Sequence, residues 1–598
     1  MCGIIGYKGE KRASEFLFKG LRNLEYRGYD SVGMATIFND NIELRKEAGN
    51  LDEVNSKLNF LEMNGNIGIA HTRWSTHGKP SAENAHPFLS SNSEIGVAHN
   101  GIIENYKELR EKLEREGFSF SSDTDSEVIP FLIEKYSEKY DFEEAVKKAL
   151  GDLEGSFSLV IINKFYNKII GVRKFSPLII GIGECEFFLA SDFSAFSEYT
   201  KKVMFIEDNE MVIIDDKIKI VNLINNLEVN REIDYIDNEF IHSDKGNFEH
   251  FMLKEIHEQP ESIKNPISNF LNYINYINSL KNIKRIIIIA CGSSYYAGLV
   301  GKFFIESMTR IPVELDYASE FRYRNPIIDK NDLVIAISQS GETADTIGAA
   351  LEAKGKNAKL YSICNVYGSS LTRISDLVMY TKAGIEIGVA TTKSFVNQLV
   401  ILFLFSLYFS KSLNKLSDKE LNEKLEFVRK LSFQIEKILN DKSILKIVED
   451  NYIYNNFIFL GRGVNYPIAL EGALKLKEVA YIHAEGCPAA EMKHGNIALI
   501  DEKIPVIVIA IENETYYKTI SNIEEIKARG GKVIVIASEG DEKIKNISDE
   551  VIYVPKTDHL LYPFLTIIPL QLIAYYIARK RNCNIDKPRN LAKSVSVE

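Results

Sequence analysis

The sequence is poor in the residues that hold small secreted or metal-bound domains together. Its 598 residues include only six cysteines, which are scattered along the chain with no two in a CxxC arrangement. This pattern excludes a disulfide framework and a zinc knuckle, and it suits a reducing compartment. Glycine and proline, at 36 and 15 residues, are too few for a fibrous protein. The cysteines are Cys2, Cys185, Cys291, Cys364, Cys487 and Cys583.

Positive charge is also in short supply. Lysine and arginine number 72 against 83 acidic residues, which gives a formal net charge of −11. Because nucleic-acid backbones are bound mainly by clustered basic side chains, this balance argues against a nucleic-acid partner. Apolar residues make up 45% of the chain. That fraction is enough to bury several cores, so we expect a soluble globular protein of several domains.

The sequence offers little that would suit a membrane. Its first residues, MCGIIGYKGE, have no charged stretch followed by a long apolar one, so no secretory signal is predicted. The uncharged run at 560–578 approaches the length of a membrane span, but it contains Pro563 and Pro569. We therefore predict a buried helix that is broken at its prolines, and a cytoplasmic protein with no membrane partner.

Two kinds of hydrophobic pattern divide the chain. Residues 1–240 contain short β-rich runs between polar loops and few helical stretches, which predicts a layered α+β domain. A polar, acidic linker is predicted at 241–250. Beyond it, continuous apolar runs alternate with amphipathic helices, as in buried parallel sheets. We predict two α/β doubly wound domains with parallel sheets, at 251–430 and 431–582, and a tail at 583–598.

The predicted α/β region contains an internal repeat. Matched positions are separated by 42, 26 and 17 residues in the first copy, and by 43, 27 and 18 residues in the second. Three nearly equal spacings indicate a duplicated unit. These positions are Gly292, Val334, Leu360 and Leu377 in the first copy and Gly463, Val506, Val533 and Val551 in the second.

The two copies differ in the loop after their second strand. The first reads SQSGET at 338–343, and the second reads IENET at 511–515. A serine- and glycine-rich turn between a strand and a helix offers N–H groups, hydroxyls and a helix N-terminus to an anion. Only the first copy is therefore predicted to bind a phosphate.

Cys2 is a candidate nucleophile. If Met1 is removed, the thiol and a free α-amino group lie on one residue, and an amine with a pKa of about 7.7–8.0 can act as a general base. The alternative is an incidental terminal thiol without a function.

Polar clusters elsewhere in the first domain favour the catalytic interpretation. Arg73 can form bidentate hydrogen bonds to a substrate carboxylate, and Asp125 can form an ion pair with a substrate ammonium group. Asn100 and the backbone N–H of Gly101 can stabilise an oxyanion. Four histidines also lie close together in the sequence, but their spacing fits no common zinc pattern, and we predict no metal. They are His71, His77, His86 and His99.

The motifs MCGIIGY, LEYRGYDS, HTRWSTHG and HNGIIEN resemble those of class II glutamine amidotransferase domains, which are N-terminal-nucleophile hydrolases. The motifs CGSS, SQSGETADT, GIEIGVATTKSF, ALEGALKLKE and PRNLAKSVSVE resemble the paired sugar isomerase (SIS) domains of isomerising glutamine:fructose-6-phosphate aminotransferases, the glucosamine-6-phosphate synthases. The resemblance covers both halves and extends to the last residue. It implies conversion of fructose 6-phosphate and glutamine into glucosamine 6-phosphate, the first step of hexosamine synthesis, without a cofactor.

The resemblance also implies roles for individual residues. Cys2 would attack the glutamine amide, and Trp74 would gate an internal ammonia tunnel. Arg73 and Asp125 would hold the amino-acid end of glutamine, while Asn100 and Gly101 would stabilise the oxyanion. The residues matched to the phosphate and sugar site are Ser294, Ser338, Gln339, Ser340 and Thr343.

For the sugar reaction, the resemblance implies that Lys593 forms a Schiff base with the open keto sugar. His494 would assist ring opening, and Glu478 would carry the proton between C1 and C2. Glu471, Lys475 and Glu478 share one face of a helix if 469–480 is helical, with Lys475 beside the substrate. The alternative for this triplet is a surface ion pair.

The sequence departs from the family pattern at three places. Ser293 replaces a threonine and keeps its hydroxyl, so phosphate binding is not put in doubt. Asn496 follows Gly495 where a proline is expected, and Pro488 follows Cys487 in a segment otherwise poor in proline. Both changes bear on the loop around His494 and on the geometry of ring opening.

The sequence leaves other functions open. One is a deglycase or an amidotransferase acting on another phosphosugar, and another is a non-enzymatic sugar-phosphate sensor. An amidotransferase acting on phosphoribosyl pyrophosphate fits less well, because the C-terminal half is a duplicated SIS pattern. We expect a homodimer formed through the SIS half, because related proteins build their sugar sites at subunit contacts.

Overall fold

The computed structural model describes residues 2–236 and 244–596. The chain divides into two compact units, of which the first combines Met1–His242 with Ala592–Glu598, and the second is Ser243–Leu591. The predicted domain end at residue 240 and the first residues of the predicted linker lie outside the described residues. The predicted domain limits therefore stay predictions.

The first unit is built on an antiparallel sheet with two buried faces. Along its first strand, Ile4 points into the layer between this sheet and a second one, and Ile5 points toward the covering helices. The strand order is β15-β11-β9-β10-β1-β4-β2-β3. Its strands are β1 (Gly3–Lys8), β2 (Ser31–Phe38), β3 (Asn41–Ala48), β4 (Ile67–Arg73), β9 (Ile179–Ile182), β10 (Phe187–Ala190), β11 (Lys202–Phe205) and β15 (Asp234–Tyr235).

A second antiparallel sheet packs against the first. Ala98 and Val160 face the layer between the sheets, whereas Val97 and Ile161 face helices on the other side. The order is β14-β13-β12-β8-β7-β6-β5. These strands are β5 (Phe88–Leu89), β6 (Ile95–Ile103), β7 (Gly155–Asn163), β8 (Ile169–Lys174), β12 (Glu210–Ile214), β13 (Ile218–Asn222) and β14 (Glu228–Val229).

Helices cover the outer faces of both sheets. Asn50 caps one of these helices, since its side chain accepts from the Glu53 N–H at 3.0 Å and Glu53 bonds back to the Asn50 N–H. The result is a four-layer arrangement of helix, sheet, sheet and helix, which confirms the predicted α+β domain. Its helices are α1 (Ala13–Leu24), α2 (Leu51–Leu58), α3 (Tyr106–Arg115), α4 (Val128–Ser137) and α5 (Phe142–Asp152).

The second unit contains two parallel sheets of the same topology. The strand orders are β17-β16-β18-β19-β20 and β22-β21-β23-β24-β25, so each sheet places its strands in the order 2-1-3-4-5. This confirms the repeat and the doubly wound parallel sheets. The strands are β16 (Arg285–Ala290), β17 (Val313–Tyr317), β18 (Asp332–Ser338), β19 (Lys359–Cys364), β20 (Leu377–Tyr380), β21 (Asn456–Gly461), β22 (His483–Pro488), β23 (Val506–Ala510), β24 (Val533–Ser538) and β25 (Glu550–Val554).

The helices of the second unit pack on both sheets and join them through one apolar core. Those before and within the first copy are α6 (Phe251–His257), α7 (Gln259–Ser262), α8 (Lys264–Asn269), α9 (Ile274–Asn278), α10 (Gly292–Thr309), α11 (Ala318–Phe321), α12 (Ala344–Gly355), α13 (Ser370–Ile374) and α14 (Lys393–Ser412). Those after it are α15 (Asp418–Leu439), α16 (Ser443–Asn451), α17 (Tyr466–Ala480), α18 (Tyr516–Lys527), α19 (Glu542–Ile547) and α20 (Tyr562–Lys580).

Two long apolar helices lie inside this core. In the described part of the chain, α14 alone has the length and composition to cross a membrane, and 94% of its most apolar window is buried inside the protein. The prediction of a broken helix at 560–578 is wrong, because α20 continues through Pro569. Pro563 lies in the first turn, where a missing N–H costs no helical hydrogen bond.

Candidate functional sites

The Cys2 thiol lies at the end of two neighbouring strands. Cys2 directly precedes β1, and the antiparallel register that pairs Gly3 with Thr72 brings it to the end of β4. The Trp74 N–H donates to Cys2 Sγ at 3.3 Å, and the thiol lies 3.5 Å from the Trp74 carbonyl oxygen. Burial raises the pKa of the Cys2 thiol. The thiol is therefore held in place but needs a base before it can act as a nucleophile.

Asn100 lies against Cys2 from the second sheet. Its Nδ2 donates to the Cys2 carbonyl oxygen at 3.1 Å, and its Oδ1 lies 2.9 Å from His71 Nε2. The next residue, Gly101, has a φ of +130°, and a Cβ there would lie 2.0 Å from the Ser156 carbonyl oxygen. Only glycine fits this position. The structure thus brings the predicted nucleophile and the predicted oxyanion donors to one place.

Arg73 and Asp125 are both buried in the same unit. Arg73 Nη2 donates to the carbonyl oxygens of His77 and Gly78, while its Nη1 has no partner in the described part of the unit. The Ile103 N–H donates to Asp125 Oδ2 at 2.8 Å. A buried guanidinium with a spare N–H and a buried carboxylate are suited to the two charged groups of an amino acid.

Three of the four clustered histidines, His71, His86 and His99, are buried and neutral. The rings of His71 and His86 stack with centroids 4.2 Å apart. Burial lowers the pKa of His71 to about 3, and it also lowers the pKa of His86 and His99. Throughout residues 2–236 and 244–596, no group of three or more His, Cys, Asp or Glu side chains is placed to hold a metal ion.

The predicted phosphate loop joins β18 to α12. The Gly341 N–H donates to Ser338 Oγ at 3.0 Å, and the Ser338 and Thr343 hydroxyls lie 3.1 Å apart. Gly341 has a φ of +67°, and a Cβ there would lie 2.0 Å from Ser369 Oγ. The Glu342 N–H donates to Ser340 Oγ at 3.1 Å. Hydroxyls and a helix N-terminus are therefore grouped in one turn, as anion binding requires.

Two other residues were predicted for the phosphate and sugar site, Gln339 within this loop and Ser294 on α10. Gln339 accepts a hydrogen bond from the Asn365 N–H at 3.0 Å through its carbonyl oxygen. Ser294 is buried near the start of α10, and its hydroxyl accepts from Gln398 Nε2 at 3.0 Å. Ser294 is thus already engaged by a neighbouring side chain of α14.

A buried group of charges lies on α17. Lys475 Nζ is 2.5 Å from a carboxylate oxygen of Glu478 and 3.3 Å from one of Glu471. Lys475 also donates to Ser293 Oγ at 3.1 Å, and Ser293 donates to Glu471 Oε1 at 2.9 Å. Lys475 and Glu471 are fully buried, whereas the Glu478 side chain is 22% exposed. The alternative of a surface ion pair is therefore wrong.

Burial and charge act in opposite directions within this group. Burial raises the pKa of Glu471 to about 7, although the Lys475 charge opposes the shift. Burial lowers the pKa of Lys475, but the two carboxylates more than offset it, so this pKa lies above its ordinary value. Lys475 thus stays charged, and the group holds one ion pair plus a carboxyl that titrates near neutral pH.

The last two residues predicted to act on the sugar are His494, in the second unit, and Lys593, in the first. His494 is exposed at the end of a 3-10 helix, Glu491–His494. Nearby, Asn496 Nδ2 donates to Glu485 Oε1 at 3.1 Å and to Cys487 Sγ at 3.4 Å. Lys593 belongs to the segment Ala592–Glu598 of the first unit. Their roles in sugar chemistry stay predictions.

Motif reasoning named three residues, His71, Glu471 and Ser293, without giving them the hydrogen-bonding roles that the structure shows. His71 and Asn100 are two residues along their strands from Ile69 and Ala98, which face the layer between the sheets, so strand alternation already predicts that both point inward. Glu471 lies one helical turn before Lys475, and that spacing was visible in the sequence. For Ser293, nothing in the sequence indicated a bond to the charged residues of α17.

Comparison with known proteins agrees with this division of the chain. A sequence model of the glutamine amidotransferase domain matches residues 71–198, and a model of the SIS domain matches residues 279–407 and 454–580. Curated proteins named glutamine–fructose-6-phosphate aminotransferase [isomerizing], from Chlorobaculum tepidum and Clostridium tetani, are each 47% identical to this chain. In both comparisons the alignment covers 100% of each protein.

A solved structure matches the second half. It is the C-terminal domain of glucosamine-fructose-6-phosphate aminotransferase from Francisella tularensis, which is 40% identical with a TM-score of 0.55. The match covers 58% of this chain and 100% of that one.

Proposed function

This chain belongs to the family of isomerising glutamine–fructose-6-phosphate aminotransferases, and on that premise we propose how its residues divide the reaction. It transfers the amide nitrogen of glutamine to fructose 6-phosphate, which yields glucosamine 6-phosphate and glutamate. The observation that carries this function is an identity of 47% that extends over the whole chain. The rest of the proposal concerns which side chains act, and where.

The first half-reaction is amide hydrolysis at Cys2. The thiolate attacks the amide carbon, ammonia leaves, and water then cleaves the thioester to release glutamate. Once Met1 is removed, the α-amino group of Cys2 accepts the thiol proton. Asn100 Nδ2 and the Gly101 N–H stabilise the tetrahedral oxyanion. The 3.1 Å contact between Asn100 Nδ2 and the Cys2 carbonyl oxygen supports this assignment, because it places a donor beside the nucleophile.

Arg73 and Asp125 determine which amide is accepted. The spare Nη1 of Arg73 binds the α-carboxylate of glutamine, and the Asp125 carboxylate binds the α-ammonium group. Ammonia released at Cys2 is passed on internally, and Trp74, whose backbone N–H is bonded to the thiol, gates its path.

The second half-reaction is amination and isomerisation of the sugar. Ser338, Gln339, Ser340 and Thr343 bind the phosphate, and Ser294 contributes to the sugar site. His494 assists ring opening. Lys593 forms a Schiff base with the keto carbon of the open sugar, and water leaves. Ammonia then displaces the lysine amine from that carbon, and Glu478 moves a proton between C1 and C2 with Lys475 beside it. The partial exposure of Glu478, in contrast to its two buried neighbours, supports its role as the group that meets substrate.

No resident cofactor or metal is needed for these steps, since thiol, amine and carboxylate groups supply the chemistry. We further propose a cytoplasmic homodimer formed through the SIS half. The exposed position of His494 supports a site that is completed by a second subunit.

Isotope transfer tests the function directly. The protein is mixed with fructose 6-phosphate and glutamine labelled with 15N in its amide, in the presence of unlabelled ammonia. We expect 15N-labelled glucosamine 6-phosphate and an equal amount of glutamate by mass spectrometry. Dilution of the label would contradict internal transfer, and glutamate without amino sugar would contradict the proposed acceptor.

A further inference from the structure

Asn100 is held from both ends of its side-chain amide. Its Nδ2 donates to the Cys2 carbonyl oxygen at 3.1 Å, and its Oδ1 lies 2.9 Å from His71 Nε2. His71 is on β4 of the first sheet and Asn100 is on β6 of the second, so this bond crosses the layer between the sheets. Both side chains are nearly completely buried.

This contact fixes the tautomer of His71. An amide oxygen only accepts hydrogen bonds, so the ring nitrogen that faces it must carry the hydrogen. His71 Nε2–H therefore donates to Asn100 Oδ1. The ring is completely buried, which disfavours a second hydrogen and the positive charge that it would bring. The ring is therefore neutral, with its single hydrogen on Nε2.

The surroundings of His71 disfavour a charged ring as well. His86 stacks on it, and the nearby charged or titratable groups are His99 and Arg73. Each of these is neutral or positive, so none would stabilise an imidazolium. Burial lowers the pKa of His71 to about 3, which keeps the ring neutral over the working pH range.

A neutral Nε2–H ring allows only one orientation of the Asn100 amide. If the amide turned over, its NH₂ group would face the His71 N–H, and its oxygen would face the Cys2 carbonyl oxygen. Both contacts would be repulsive. The observed orientation instead directs Nδ2 toward Cys2, where the tetrahedral oxyanion forms.

We propose that His71 is a positioning residue for amide hydrolysis, which as the neutral Nε2–H tautomer holds the Asn100 amide with Nδ2 directed at the Cys2 centre. The inference rests on the proposed roles of Cys2 and Asn100. His71 contacts no reacting atom, so its whole effect must pass through Asn100.

Two substitutions separate the hydrogen bond from the space that the ring fills. His71→Leu removes the donor and keeps an apolar side chain, so we expect kcat for glutamine hydrolysis to fall by about 10²-fold with little change in KM. His71→Gln places an amide N–H near the position of Nε2 and should recover most of the loss. His86→Leu removes the stacked ring, which makes no bond to Asn100, and should change kcat less than about threefold.

A double-mutant cycle tests whether the effect passes through Asn100. In an Asn100→Ala background, His71→Leu should reduce kcat by less than about twofold, because the group that His71 positions is already gone. Equal losses in both backgrounds would overturn the proposal, and so would full activity of His71→Leu. Thermal unfolding of each variant identifies any loss that is due to misfolding.

15N NMR of the wild-type protein, labelled in its histidine rings, shows which ring nitrogen of His71 carries the hydrogen. This measurement does not depend on the folding of any variant. We expect His71 to carry hydrogen on Nε2 only, and not to titrate between pH 5 and 9. A hydrogen on Nδ1 would overturn the proposal.

The variant Cys2→Ala distinguishes failure of the proposed function from failure of the role of His71. If Cys2→Ala still hydrolyses glutamine, the proposed function is wrong. If Cys2→Ala is inactive but the His71 variants are fully active, only the role of His71 is wrong.

Discussion

The two candidate sites use buried polar groups in opposite ways. The groups bonded to Cys2 and Asn100 are a neutral histidine and backbone groups, and the thiol itself is shifted toward its neutral form, while the buried ions Arg73 and Asp125 are assigned to substrate. On α17 the buried partners are ions, with a lysine between two glutamates. One site is a set of buried donors beside Cys2, and the other is a group of charges that is partly exposed at Glu478.

The difference matches the two kinds of chemistry. Amide hydrolysis creates negative charge at a known position, so donors fixed in advance stabilise it best. Proton transfer on a sugar needs a carboxylate that can reach the substrate, and the partly exposed Glu478, held by Lys475, is placed to supply one. Charge added to the first site or removed from the second should therefore impair each in its own way.

The largest expected effect comes from removing the nucleophile. Cys2→Ala should lower glutamine hydrolysis by at least about 10⁴-fold, because no other group replaces the thiol, while sugar isomerisation continues. Glutamate release and isomerisation of fructose 6-phosphate are measured on the same preparation. Cys185→Ala, which removes an exposed thiol of the first unit, is the control. Loss of both activities in folded Cys2→Ala would show that the two sites are not separable.

Lys593→Ala should give the reverse pattern. The sugar reaction should be lost, because no Schiff base forms, whereas glutamine hydrolysis should persist. Lys593→Arg keeps the positive charge but cannot form the Schiff base, so it should behave as the alanine variant does. Borohydride added with fructose 6-phosphate should attach the sugar to the wild-type chain only, as a mass increase. Sugar turnover by Lys593→Arg would refute covalent catalysis at this residue.

A smaller effect is expected from neutralising the charge group. Because the pKa of Glu471 is raised to about 7, the folded state binds this proton more tightly than the unfolded state does. The stability that this carboxyl contributes is present below about pH 4.5 and is lost as the pH rises to about 7. The variant Glu471→Gln has no carboxyl at this position, so its stability does not fall with pH for this reason.

The unfolding free energy of Glu471→Gln, relative to wild type, should therefore increase between about pH 4.5 and 7 and then level off. Urea denaturation at several pH values measures it. Glu436→Gln, at an exposed position of α15, is the control for the effect of removing a carboxyl that is not buried. A difference that stays flat or decreases with pH would contradict the protonated carboxyl and leave the contrast between the two sites weaker.

Sequence patterns predicted the sheets and helices better than they predicted the contacts between side chains. The repeat and its parallel sheets followed from spacings and apolar runs, whereas the edge strands β17 and β22 were missed because VELDY and HAEGCP carry charge or lack apolar residues. The continuity of α20 was missed because packing on both sides supports a helix through Pro569. Asn100 was predicted as an oxyanion donor, but its bond to His71 depends on how two sheets stack, and no local pattern encodes that.

The smallest expected effect concerns the hydroxyl that joins the charges on α17. Ser293 donates to Glu471 and accepts from Lys475, so Ser293→Ala leaves each of these buried groups with one partner fewer. We expect a loss of about 1–2 kcal/mol in the free energy of unfolding and a shift of the pH–rate profile for the sugar reaction. Ser293→Thr keeps the hydroxyl and should lie within about 0.5 kcal/mol of wild type, with an unchanged profile. Urea denaturation and initial rates measure both variants. If alanine and threonine behaved alike, the bridging hydroxyl would have no part in holding the charges, and the second site would depend on direct ion pairs alone.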